Sequence, residues 1–173
     1  MEEVKSCCFT GHRPAGLPWG ENEGHILCRR TREALAVAIE RAYLDGYRRF
    51  YSGMARGIDL MAAEVTLHCQ ELHPDIELVA AIPYAGMARS LPPADLERYC
   101  RILDGCREEN IHILSPQFYK SCFIQRDRYM VDRCQRIIAV YDGRTPGGTQ
   151  YTVGYALQQK LGLVAIDPNN PKV

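Results

Sequence analysis

Apolar and polar positions along this chain fall into alternating blocks. Short apolar runs occur at 4–9, 76–82 (IELVAAI), 136–141 (RIIAVY) and 163–166, with weaker ones at 49–51 and 111–114. Between them, apolar residues return every three or four positions over longer stretches, the period of a helix with one buried side. The stretch 23–44 places Leu27, Leu35, Ile39 and Ala42 on one side, and Asp45-Gly46 ends it. Further helices are predicted at 57–72, 93–108, 120–134 and 149–161. The run 76–82 is apolar at nearly every position, which predicts a strand covered on both faces, as in a parallel sheet. Strand and helix alternate throughout, so the expected fold class is α/β, with a mainly parallel sheet and helices on both faces.

Size and charge refine this picture. A chain of 173 residues fits one domain, residues 1–173, with no repeat or low-complexity segment. Lysine plus arginine and aspartate plus glutamate both number 21, so the net charge is zero. A protein that coats nucleic acid takes much of its affinity from a basic stripe, so neutrality argues against nucleic acid as a partner. No apolar run reaches the roughly 20 residues of a membrane span. MEEVKSCCFTGHRP lacks a signal peptide's apolar core, so a cytoplasmic location without a membrane partner is expected. An exposed sheet edge or helix pair would suit a homo-oligomer such as a dimer.

Eight cysteines are present, but none in a C-x-x-C spacing, so no metal site is expected. Cys7 and Cys8 adjoin on a predicted strand and should face opposite sides. The general expectation is reduced, buried thiols; Cys8, close to His12, is the one candidate nucleophile.

Ligands of open parallel sheets bind beyond the carboxyl ends of the strands. Three segments fall there: FTGHRP (9–14), SGMARGID (52–59) and DGRTPGGT (142–149). Each combines glycine, a hydroxyl and a basic residue. Glycine lets backbone N–H groups approach an anion, a helix N-terminus adds partial positive charge, and arginine offers a two-pronged donor to phosphate. A glycine after a strand is often only a turn, but three such segments on one edge point to a phosphate-bearing ligand. None is a P-loop or a G-x-G-x-x-G motif. Gly11, Gly53, Gly57, Gly147 and Gly148 would admit phosphates to the backbone. Thr10, Ser52 and Thr149 would donate hydroxyls, and Arg13, Arg56 and Arg126 would neutralise charge. Asp59 could hold a ribose hydroxyl or cap its helix. His12 could contact phosphate or serve a turn, and Tyr84 or Trp19 could stack on a base or pack in the core.

FTGHRP, SGMARGIDLMAAE, IPY, RDRYMVD and AVYDGRTPGGTQYTVGYA together resemble the YpsA-like family of the SLOG superfamily, over about residues 5 to 166. That superfamily also holds the LOG-type phosphoribohydrolases and the DNA-processing protein DprA. The resemblance implies a Rossmann-like fold and a nucleotide or NAD-derived ligand such as ADP-ribose, with no further cofactor implied. RDRYMVD resembles the phosphoribohydrolases' R-K-x-x-M stretch, which places Arg126 on their functional arginine and Asp127 where they have lysine. PGGTQYT resembles their P-G-G-x-G-T-x-x-E but lacks the glutamate needed for glycosidic cleavage. YAGMARSL (84–91) lacks a glutamine and a tryptophan expected after the third strand. A nucleotide-binding or sensor protein is therefore expected. The alternative is a nucleotide N-glycosidase using Asp59, Glu64 or Asp142, and the third is DprA-like single-strand DNA binding through SGMARGID.

Overall fold

The computed structural model describes residues 3–172. Six strands form one all-parallel sheet: β1 (Lys5–Gly11), β2 (Tyr47–Ser52), β3 (Glu77–Ile82), β4 (Ile111–Ile113), β5 (Arg136–Val140) and β6 (Gly162–Ile166). Their spatial order is β4-β3-β2-β1-β5-β6. Five helices make the crossovers: α1 (Ile26–Leu44), α2 (Ile58–Leu72), α3 (Pro93–Gly105), α4 (Cys122–Val131) and α5 (Gly148–Gln158). No helix among the described residues is long and apolar enough to cross a membrane. This is the expected Rossmann-like α/β arrangement, with the sheet parallel throughout.

Alternation along the strands divides the core between two faces. Cys7 and Phe9 pack under α1 and α2 with Leu35, Ile39, Ile58 and Met61. Cys8 points the other way, into a cluster with Met130, Val131 and Ala156 from α4 and α5. A third cluster joins α2 and α3 to β3 through Leu60, Leu78, Tyr99 and Ile102. Helix α2 lies between α1 and α3, which explains why Ile58, Leu60, Met61, Ala62, Ala63 and Val65 are all buried. Leu78 to Ile82 of β3 are likewise buried, as continuous apolarity predicted.

The strand order places one topological switch. From β1 the chain steps outward through β2, β3 and β4, then returns to lay β5 on the other side of β1. Crossovers leave β1 and β5 in opposite directions, so a crevice opens between their carboxyl ends, where Gly11 pairs with Val140. Glycine closes the joints here. A Cβ on Gly11 would overlap the side chain of Ile58, so the end of β1 can rest against the start of α2. Gly57 has φ +85°, and a Cβ there would lie 2.6 Å from the His12 carbonyl oxygen. That carbonyl accepts a hydrogen bond from the Ile58 N–H at 3.2 Å.

The predicted elements differ from the observed ones mainly at helix ends. Helix α1 starts at Ile26 rather than 23, because His25 caps it by accepting from the Leu27 N–H. Helix α3 stops at Gly105, and Glu108–Asn110 is a separate 3-10 turn. Helix α4 ends at Val131; Cys134 is buried from the turn that follows. At α3 and α4 the apolar spacing continued past the helix because the flanking turns also pack a side chain, Cys106 and Cys134.

Candidate functional site

A cavity of about 260 Å³ occupies the crevice between β1 and β5. The end of β1 and the residues after it contribute Phe9, Thr10, Gly11, His12 and Arg13; the β2–α2 loop contributes Ala55 and the first turn of α2 contributes Asp59. Helix α4 supplies Phe123, Arg126 and Asp127, and the β5–α5 loop supplies Thr145 through Thr149. Of the residues read from the sequence, Thr10, Gly11, His12, Arg13, Asp59, Arg126, Gly147, Gly148 and Thr149 meet here.

Arg126 is the buried cation of this site, only 5% exposed. Its Nη1 donates to the Gly53 carbonyl at 2.5 Å and its Nε to Asp127 Oδ1 at 2.7 Å. Asp127 Oδ2 accepts from Thr152 Oγ1 at 2.9 Å, which ties α4 to α5. Asp59 is 7% exposed and accepts from the Ala55 N–H at 3.3 Å. Burial raises its pKa from 3.8 to about 6, Arg126 opposing and Asp127 reinforcing the rise. Around pH 6 this carboxyl therefore changes between neutral acid and anion inside the crevice.

The opposite wall is the N-terminus of α5. Gly147 stands at its N-cap with φ +145°, and no side chain caps the helix. A Cβ on Gly148 would meet nothing within 4 Å, and its φ is ordinary. Neither packing nor backbone conformation demands glycine there; what its lack of a side chain does is leave the helix N–H groups open to the crevice. These N–H groups carry the partial positive charge of the helix end. Asp142 shapes the loop by accepting from the N–H groups of Arg144 and Thr145 and from the Thr145 hydroxyl. Those bonds, the hydroxyl's first, hold its carboxyl well below the usual range. His12 Nε2 lies 3.8 Å from Asp142 Oδ1 and has no hydrogen-bond partner among the described residues.

Five residues read as ligand contacts stand elsewhere. Ser52 is fully buried; its hydroxyl donates to the Asp59 carbonyl and accepts from the Met54 N–H, so it fixes the loop. Gly53 lies behind Arg126: a Cβ there would come within 2.7 Å of the guanidinium. The turn out of β2 is made by Met54, with φ +60°, and not by Gly53. Arg56 turns away to Asp95 at 2.5 Å and Glu21 at 2.8 Å, and lines a second cavity of about 170 Å³ with Gly57 and Trp19. Tyr84 sits behind Phe123, ring centroids 6.3 Å apart. Of the acids considered for catalysis, Glu64 pairs with Arg98 and lies outside the crevice. Cys8 lies in the core under α4 and α5, away from it.

Sequence reasoning passed over Phe9, Ala55, Phe123, Asp127, Thr145 and Pro146 as lining residues. Asp127 was visible beside Arg126, and Phe9, Ala55, Thr145 and Pro146 lay within FTGHRP, SGMARGID and DGRTPGGT; only the fold places Phe123 at the crevice.

The fold and this crevice define a Rossmann-like α/β protein with a cleft at the switch point. A family model described as the YspA SLOG family matches residues 7–163, and the chain belongs to that family. Its curated relatives include a UPF0398 protein of Bacillus thuringiensis (strain Al Hakam), 24% identical over 152 residues, 87% of this chain and 81% of that one. A UPF0398 protein of Bacillus cereus (strain AH187) matches to the same extent. Among solved structures, DNA processing protein A from Helicobacter pylori, described for its single-stranded DNA binding mode, superposes with a TM-score of 0.59 at 14% identity. That match covers 97% of this chain and 71% of the other.

This last likeness corrects one expectation. Zero net charge argues against nucleic acid as a partner, yet the same fold occurs in a protein described by its binding of single-stranded DNA. Net charge sums the whole surface, whereas binding depends on which charges remain free at one edge. Here Arg48, Arg49, Arg56, Arg98, Arg107 and Arg136 are all tied to carboxylates. Neutrality therefore says nothing against a nucleic-acid partner.

Proposed function

We propose that this protein binds the phosphate of a nucleotide in the β1–β5 crevice, with ADP-ribose, NAD and AMP as the first ligands to test. The observation that carries this is the pairing of buried Arg126 with the uncapped N-terminus of α5 across one cavity. Both favour an anion: the guanidinium by charge-assisted hydrogen bonds, the helix end by unpaired N–H groups. Arg13 stands exposed at the mouth. Thr10 and Thr149 add hydroxyls, and Asp59 suits a ribose hydroxyl. Thermal denaturation against a nucleotide panel tests this. Ligand at about 100 times its Kd should stabilise the fold by roughly 2.7 kcal/mol. No shift with any member at millimolar concentration contradicts it.

A second reading, cleavage of a nucleotide's N-glycosidic bond, is favoured by Asp127. Helix α5 holds no carboxylate, but Asp127 reaches it from α4 through Thr152 and lines the crevice with Asp59. An oxocarbenium-like transition state needs such an anion near the ribose. Chromatography of an overnight reaction with AMP distinguishes the two. Base release abolished by Asp127→Asn supports cleavage; unchanged AMP supports binding alone.

A further inference from the structure

We infer that the rings of Tyr84, Phe118 and Phe123 form a stacking shelf outside the crevice for a further base, and that the ligand is a single strand of nucleic acid. This rests on the crevice holding a phosphate, as proposed above.

The crevice is small. Its roughly 260 Å³ falls below the 300–1,000 Å³ usual for pockets that enclose a small molecule. A ligand anchored by phosphate at α5 therefore extends beyond it. Phe123 marks one way out: it lines the crevice and lies under two guanidiniums, Arg13 at 5.2 Å and Arg126 at 5.7 Å from its centroid. Tyr84 meets Phe123 edge-on, and then meets Phe118 edge-on at 5.5 Å, with an interplanar angle of 77°. The aromatic surface thus runs without a break from the crevice to solvent. At its far end Phe118 is 58% exposed and Tyr119 beside it 41%. Two large rings left in water on a loop at the ligand-binding edge form a platform on which a base can stack, whatever its identity.

Charge decides between a single strand and a compact dinucleotide such as NAD. NAD carries one pyrophosphate, which the crevice alone would absorb. Yet cations stand free along the same edge. Arg13 follows β1, Arg89 follows β3, Lys120 follows β4 and Arg144 follows β5. None of the four makes an ion pair among the described residues, whereas Arg48 and Arg49 of β2, Arg56 of the loop before α2 and Arg98 of α3 do. Lys120 directly follows Phe118-Tyr119. Basic side chains interleaved with exposed rings fit a chain of phosphates that continues past the first nucleotide.

The test measures three ligands, AMP, NAD and a 5′-phosphorylated oligothymidylate of about ten nucleotides, on the wild type and on Phe118→Ala, Phe118→Tyr, Lys120→Ala and Arg126→Lys. The wild type should bind the oligonucleotide more tightly than AMP. Phe118→Ala should lower the ratio of oligonucleotide to AMP affinity by roughly 5- to 150-fold, the effect of losing one stacked base, while Phe118→Tyr preserves it. Lys120→Ala should reduce the salt slope for the oligonucleotide by about 0.7. Arg126→Lys should weaken all three ligands. If AMP binds but the ratio ignores Phe118, the shelf is refuted and the crevice proposal stands. If Phe118→Ala weakens NAD and not the oligonucleotide, the shelf serves a dinucleotide and the single-strand assignment is overturned. If none of the three ligands binds the wild type, the crevice proposal itself fails.

Discussion

Asp59→Asn should make this protein more stable at neutral pH and remove a pH dependence that the wild type shows. Asp59 lies buried beside Arg126 and Asp127, and its pKa in the folded protein is about 6 against an ordinary 3.8. Below pH 3.8 the carboxyl is protonated whether the chain is folded or not, so it exerts no pH-dependent effect. Between pH 4 and 6 the unfolded chain releases this proton while the folded protein keeps it. Stability must then fall as pH rises. Above pH 6 the full cost of an ionised, desolvated carboxylate is present. Two pH units correspond to about 3 kcal/mol, an upper figure for the variant's gain at pH 7. Asparagine keeps an oxygen to accept the Ala55 N–H, so the loop should hold, with a weaker bond from a neutral acceptor. Urea denaturation of both proteins from pH 3.5 to 7.5 measures this. The stability difference, variant minus wild type, should grow through pH 4 to 6 and then level off. A difference that is constant across that range refutes the reasoning, because it would mean Asp59 titrates alike in folded and unfolded chains.

Other substitutions separate packing from binding. Gly148→Ala meets no neighbour, so stability should stay within about 0.5 kcal/mol while AMP affinity falls, read by calorimetry. Gly11→Ala should instead destabilise by about 1–3 kcal/mol or more, since its Cβ overlaps Ile58; a melting temperature equal to the wild type's would contradict that packing. Gly154→Ala, exposed within α5 with open space around it, should stabilise by about 0.5–1 kcal/mol in the same assay. Arg126→Lys keeps the charge but loses the fork that holds Gly53 and Asp127; nucleotide affinity should fall roughly 10- to 150-fold, the range of a charge-assisted hydrogen bond.

The sheet was legible because its signals are local. Continuous apolarity over 76–82 reflects burial from both faces, and glycine-bearing segments after strands 1, 2 and 5 do share one edge. Two kinds of information were not local. The strand order, with β5 returning beside β1, decides that segments 9–14 and 142–149 face each other while 52–59 offers only Ala55 and Asp59 to the crevice. SGMARGID therefore looked like a third lobe of the cradle, but its arginine is drawn off by Glu21 and Asp95, which are distant in sequence. Its Gly53 serves as the floor on which Arg126 rests. Tyr84 was legible as a candidate for stacking, but Phe118 and Phe123 were hidden for the same reason: they come from a distant stretch that meets Tyr84 only when β3, β4 and α4 are assembled. Net charge misled because it cannot register which arginines are already paired.

The central claim is that phosphate sits between β1 and β5 against the N-terminus of α5. Titration of isotopically labelled protein with AMP, followed through backbone amide resonances, tests it most directly. The account predicts that the largest shifts fall on Gly147, Gly148 and Thr149, with Thr10 to Arg13 and the Arg126 side-chain Nε–H moving alongside and saturating at the same concentration. Shifts concentrated at the second cavity, around Trp19, Arg56 and Arg98, with residues 147–149 unmoved, would contradict it.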